Sequence, residues 1–146
     1  MPDKAALYDK DFFAWSNQQA GLLRAGKLGE ADLQHIAEEI ESMGKAEKRE
    51  LISRLTVLLL HLLKWQHQPA GRGNSWRLSI ANSRDEITDH LLDNPSLKSN
   101  LAADLATGYK YARRKASAET NLSLDIFPSS CPWEYKELIG QEFWPE

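Results

Sequence analysis

The sequence predicts an all-α protein, a single-domain helical bundle of about five main helices plus a short C-terminal helix. Three observations carry this. Apolar residues recur at three- and four-residue steps almost throughout the chain. No stretch of useful length alternates as a half-buried strand would. Gly and Pro cluster only at 69–73 and 128–132, which read as connections between helices.

The first helix is expected over about Asp9–Ala25, with Asp9 as its cap and Gly26 closing it in the left-handed conformation. Phe12, Trp15, Ala20, Leu22 and Leu23 supply its apolar contacts, and residues 1–8 are expected to be flexible. A second helix starts near Gly29, with Leu33, Ile36, Ile40 and Met43 on one stripe. At Gly44 the pattern breaks, so either the chain turns there or one long helix passes through with a kink. The third helix covers about 46–67. Its second half, TVLLLHLLKW, is apolar on every side and predicts a central, buried helix. Asn74 is the expected cap of the fourth helix, whose stripe is Trp76, Ile80, Ile87 and Leu91. Asn94-Pro95 reads as a cap with proline at the first helical position. The fifth helix then runs to about Thr120 on Leu97, Leu101, Leu105, Tyr109, Ala112 and Ala116. A short last helix is expected at Cys131-Pro132-Trp133.

The totals narrow the function. With 146 residues the chain is long enough for a real core without staples. A net charge of −3 gives no global attraction to nucleic acid. The lone Cys131 excludes an internal disulfide and fits a reducing compartment, so a cytoplasmic location is expected. The N-terminus lacks the apolar run of a signal peptide. The longest apolar run, VLLLHLL at 57–63, is far short of the roughly 20 residues of a membrane span, so no membrane partner is expected.

One polar cluster stands out. At 100° per residue Arg84 lies about 40° from Ile80, the centre of the fourth helix's stripe, and Arg77 about 60° from it on the same side. An arginine on a core face needs an anion. Residues 28–43 carry Glu30, Asp32, Glu38, Glu39 and Glu41 with no base, whereas 61–84 carry Lys64, Arg72, Arg77 and Arg84 with no acid. Glu39 and Glu41 flank the second helix's stripe on opposite sides, so either is the expected partner of Arg84. His61, the one polar side chain in TVLLLHLL, needs a hydrogen bond if buried. Glu39, Glu41, His61, Arg77 and Arg84 therefore form a candidate cluster, read either as an ion-pair network fixing register or as an anion or proton-transfer site.

Other signals are weaker. His35 with Glu38 and Glu39, and Glu86 with His90, have imidazole and carboxylate near each other on helices. The Glu-x-x-His spacing of bundle metal sites is not met, so no metal and no cofactor are expected. Cys131 at a helix start can have a lowered thiol pKa, but no base is near in sequence, and a capping or buried role is the simpler one. Arg113-Arg114-Lys115 with Tyr109 and Tyr111 makes a basic, aromatic patch able to touch phosphates, which overall acidity opposes. No Gly-rich phosphate loop, serine nucleophile elbow or zinc-finger spacing is present.

The stretches YDKDFFAW (8–15), QAGLLRAG (19–26), EEIESMG (38–44), LLLHLLKWQ (58–66), SW (75–76), PSL (95–97), AETNL (118–122) and FPSSCPW (127–133) together resemble the bacterial family called domain of unknown function twenty-nine. The resemblance covers about Tyr8 to Pro145. It implies an all-helical fold and no established activity, cofactor or catalytic residue. It also implies that Glu38 to Gly44, His61 to Trp65, Trp76 and Arg84 occupy motif positions. One departure is Ser83, where the family often has glutamine. A site that used that side chain would be altered here.

Two functions compete. The first is a non-enzymatic helical protein acting through an unknown protein partner or homo-oligomerisation, with Trp133 and Trp144 available for docking. The second is an enzyme or small-anion binder using Glu39, His61, Arg77 and Arg84. A pocket opening onto His61 and an unpaired Arg77 would favour the second.

Overall fold

The computed structural model describes residues 4–146. It is all-helical, with no strand among the described residues. The long helices are α2 (Phe12–Arg24), α3 (Leu33–His67), α4 (Asn74–Asp93) and α5 (Leu101–Thr120). Shorter ones are α1 (Lys4–Lys10) and α6 (Tyr135–Leu138). Of the N-terminal segment expected to be flexible, residues 1–3 lie outside the described residues and the remainder belongs to α1. No described helix is long and apolar enough to cross a membrane.

The two helices expected on either side of Gly44 are one: α3 continues for 35 residues. A glycine in a helix interior costs only about 1 kcal/mol, and the neighbours that continue the hydrogen-bonded ladder outweigh it. The backbone contacts nevertheless divide the chain into two compact units, Met1–Ala46 and Glu47–Glu146.

The first unit is held by a small polar and aromatic cluster. Asp11, not Asp9, caps α2, its side chain accepting from the Ala14 N–H at 3.0 Å; Asp9 lies inside α1. Gly26 closes the segment at φ 74°, as expected. Trp15 is buried and donates its indole N–H to Asp32 at 3.1 Å. Buried Gln19 accepts from the Asp32 backbone N–H at 2.6 Å. His35 pairs with Asp32 at 2.7 Å and stacks on Tyr8, the ring centroids 4.1 Å apart. Tyr8 donates its hydroxyl to Glu39. Phe12 meets the Tyr8 and Trp15 rings at centroid distances of 5.7 and 5.5 Å, yet it and Leu23 are both exposed. So are Leu33, Ile40 and Met43, three of the four stripe residues of α3.

The second unit holds the main apolar core. α3 contributes Leu51, Leu55, Leu58, Leu59, Leu62 and Leu63; α4 contributes Ile80, Ile87 and Leu91; α5 contributes Leu105, Tyr109, Ala112 and Ala116. Phe127, Trp133 and Leu138 close it. Each fully buried large side chain contributes roughly 1.5–3 kcal/mol. The α3 segment is not buried on every side, as its composition suggested: Val57 is exposed and His61 half-buried. A Cβ at Gly108 would lie 3.2 Å from the Leu55 Cβ, so glycine there lets α5 approach α3 closely. At the α3–α4 turn, an added Cβ at Gly71 would overlap the Trp76 ring. The caps differ from expectation. Gly73 precedes α4, and Asn74 is already its first residue. Pro95 opens a 3-10 turn, Pro95–Asn100, and α5 starts only at Leu101. α5 stops at Asn121 in the left-handed conformation. The last helix begins at Tyr135, beyond Cys131-Pro132, behind a reciprocal cap between Glu134 and Glu137.

Candidate functional site

The five residues of the predicted cluster are distributed between the two units. Glu39 is bonded to Tyr8 and Glu41 is exposed, both in the first unit. In the second unit Arg84 is fully buried. Its guanidinium donates to three backbone carbonyls of the C-terminal segment: Leu138 at 2.8 Å, Gln141 at 3.4 Å and Phe143 at 2.6 Å. The partner demanded by a buried arginine is thus a set of carbonyl oxygens, where a carboxylate was expected. Carbonyls carry a substantial negative partial charge and, presented together, can satisfy a fork of N–H donors. His61 turns its Nδ1 to the Val57 carbonyl at 2.8 Å, one turn back on its own helix. Arg77 is exposed and takes Asn74 as a partner at 3.3 Å.

Aromatic rings connect the arginines. The Arg72 and Arg77 guanidinium groups lie 5.1 and 5.3 Å from the Trp65 ring centroid. Trp65 packs on Trp144 at 4.6 Å, and Arg84 lies 5.4 Å from that ring. Lys64 lies 5.0 Å from Trp76. The turn at 61–77 is therefore an array of cations on tryptophan faces that fastens the C-terminal segment to α3 and α4. Such contacts contribute about 0.5–1 kcal/mol each where exposed, and more when desolvated.

A further surface feature is on α5. A cavity of about 830 Å³ runs along it, lined by apolar Leu101, Leu105, Tyr109, Leu124 and Trp133 and rimmed by Lys110, Arg113 and Arg114. The sequence places these cations because four bases and no acid occupy 105–118. Arg113 is engaged with the Phe127 and Leu124 carbonyls, at 3.2 and 3.1 Å. Lys110 and Arg114 have no carboxylate partner among the described residues. Glu134 also reaches the rim, but its carboxylate caps α6. A second groove, about 640 Å³, lies on the other side of Arg114 between α3 and α5. Ile52, Val57 and Tyr111 line it with Arg49 and Lys115. The helix thus presents a basic ridge between two apolar troughs. The sequence signalled the basic run; the troughs depend on which segments pack beside it, and periodicity does not say that.

Cys131 lines the larger cavity. Its thiol donates to the Trp133 carbonyl at 3.3 Å, and burial pushes it above its ordinary range, which disfavours the thiolate. Tyr109, bonded to the Pro128 carbonyl at 2.5 Å, is pushed up to about 12 by burial. Both groups stay neutral at physiological pH, so neither is a ready nucleophile. A further grouping, Glu47, Glu50 and His90, brings ligand atoms within 4.8 Å of one another. There His90 Nε2 contacts the Glu47 carbonyl at 2.8 Å, and Arg54 binds both Glu50 and Glu86. The guanidinium thus neutralises Glu50 and Glu86, while the Glu47 carboxylate lies 3.5 Å from His90 Nε2.

A family model described as domain of unknown function DUF29 matches residues 7–144. No curated protein and no solved structure matches the chain.

Proposed function

The chain belongs to the DUF29 family, which assigns no activity, and from that premise we propose that it is a non-enzymatic helical protein acting through protein–protein contact, in the first place by homo-oligomerisation. One observation carries the reading: the first unit leaves a row of large apolar side chains in water. Leu33, Ile40 and Met43 are 52%, 64% and 68% exposed along one face of α3. Phe12 and Phe13 on α2 are exposed as well. Isolated exposed apolar residues are ordinary, but a stripe at regular helical spacing marks a surface that another protein covers. The proposed setting is the cytoplasm, supported by the single unpaired Cys131.

Sedimentation or light scattering of the whole chain across the micromolar range tests this. The expected result is a concentration-dependent rise in mass that Ile40→Ser with Met43→Ser suppresses while helicity is kept. A monomer at every concentration would sink the reading.

A further inference from the structure

We infer that self-association joins two unlike surfaces: the acidic, apolar face of α3 in one copy enters the basic, apolar groove of α5 in another. This rests on the homo-oligomerisation proposed above and adds which surfaces meet.

Consider the inserting face. Leu33, Ile36, Ile40 and Met43 follow three-, four- and three-residue steps, the spacing of a helix seam that packs on another helix. Glu39 and Glu41 border this seam on its two sides, and residues 28–43 hold no lysine or arginine. From Leu33 to Met43 the seam extends about 15 Å at 1.5 Å per residue.

The receiving face answers each property. Its floor is apolar, through Leu101, Leu105, Tyr109 and Trp133. It follows α5 from Leu101 to Arg114, about 20 Å by the same rise, which is long enough to hold the seam. Lys110 and Arg114 stand on its rim without carboxylate partners among the described residues. Two acidic faces brought together would repel, as would two basic ones. The unlike pairing brings opposite charge to opposite charge and covers both apolar surfaces. A pairing of unlike faces closes into a reciprocal dimer if the geometry repeats, or continues head to tail if it does not.

A charge exchange tests the pairing. Lys110→Glu with Arg114→Glu reverses the groove rim, and Glu41→Lys reverses the charge on one border of the seam while Ala37→Lys adds a second cation beside it; all four positions are exposed. Measured by sedimentation, each double variant is expected to weaken self-association roughly 10- to 100-fold, as reversed rim charges do. The quadruple variant carries both reversals and is expected to recover to within about tenfold of the natural chain. Circular dichroism of each variant confirms that the helices persist. If the natural chain oligomerises and both double variants do so equally well, the pairing of faces is wrong while homo-oligomerisation stands. If the double variants weaken and the quadruple variant fails to recover, the charges act separately, and the pairing is again overturned. If the natural chain stays monomeric, both proposals fall. A folded quadruple variant that self-associates more tightly than either double variant is the result the pairing requires.

Discussion

Arg84 shows how a single side chain organises distant backbone. It lies in α4, yet its three hydrogen bonds reach Leu138, Gln141 and Phe143. Arg84→Met would keep much of the volume and strip three carbonyls of their donor. Leaving a buried polar group unsatisfied costs about 1–3 kcal/mol, so a loss of roughly 3 kcal/mol or more is expected in urea denaturation. Arg84→Lys should recover only part of it, because an ammonium cannot present a planar fork. Equal stability of the methionine variant and the natural chain would refute this role. The presence of Arg84 on the core face was legible in the sequence, from its angle to Ile80. Its partner was not, because backbone carbonyls more than fifty residues away carry no residue-type signature. Asp32 and His35 make a second prediction at this scale. Burial pushes Asp32 up, but the hydrogen bonds from His35 and Trp15 outweigh it and hold the carboxyl below its ordinary range. The hydrogen bond to Asp32 raises His35. The stabilisation from Asp32 is present above its unfolded pKa and lost as pH falls through the folded value. That from His35 is present below its unfolded pKa and lost as pH rises through its raised folded value. Nuclear magnetic resonance titration should therefore find the His35 ring titrating above an ordinary histidine, and Asp32→Asn should bring it back down.

At the scale of helices, three glycines predict opposite outcomes. Gly44 lies within α3 with nothing near the position of an added Cβ. Gly44→Ala is expected to stabilise the chain by about 0.5–1 kcal/mol, through helix propensity alone. At Gly71 an added Cβ overlaps the Trp76 ring, and at Gly108 it presses on Leu55. Alanine at either should destabilise by roughly 1–3 kcal/mol, the usual cost of overpacking. Thermal denaturation of the three variants would show whether the signs divide in this way. The helical stripes of α4 and α5 were readable because Ile80, Ile87, Leu105, Tyr109, Ala112 and Ala116 are buried on one face each. The continuity of α3 was not, since a glycine lowers helix stability by an amount that a long flanking ladder easily covers. Nor was the exposure of Ile40 and Met43: periodicity marks an apolar face but does not say whether this chain or another covers it.

For the whole molecule, the decisive feature is the unequal distribution of core between the two units. The continuous hydrophobic cluster runs from Leu51 to Leu138 and beyond, all within residues 47–146. Among the described residues, the buried apolar ones of the first unit are Trp15 and Ala31, supported by Gln19 and Asp32. At about 25 cal/mol per Å² of apolar surface, so small a core offsets little of the entropy of ordering its own helices. The second unit, with its leucine-rich helix fully covered, can offset much more. A fragment of residues 47–146 is accordingly expected to stay helical and to unfold cooperatively, while 1–46 alone should be mostly unfolded by circular dichroism. In the intact chain, hydrogen exchange should be slow at Leu58–Leu63 and Ile80–Ile87 and much faster at Ile40–Ala46. Oligomerisation changes that contrast in a definite direction. Covering the Leu33–Met43 seam shields residues that overlap this fast-exchanging stretch, so protection at Ile40–Met43 should rise with protein concentration while that of the leucine core stays constant. A seam whose exchange ignores concentration would mean that the exposed face of α3 is simply solvated.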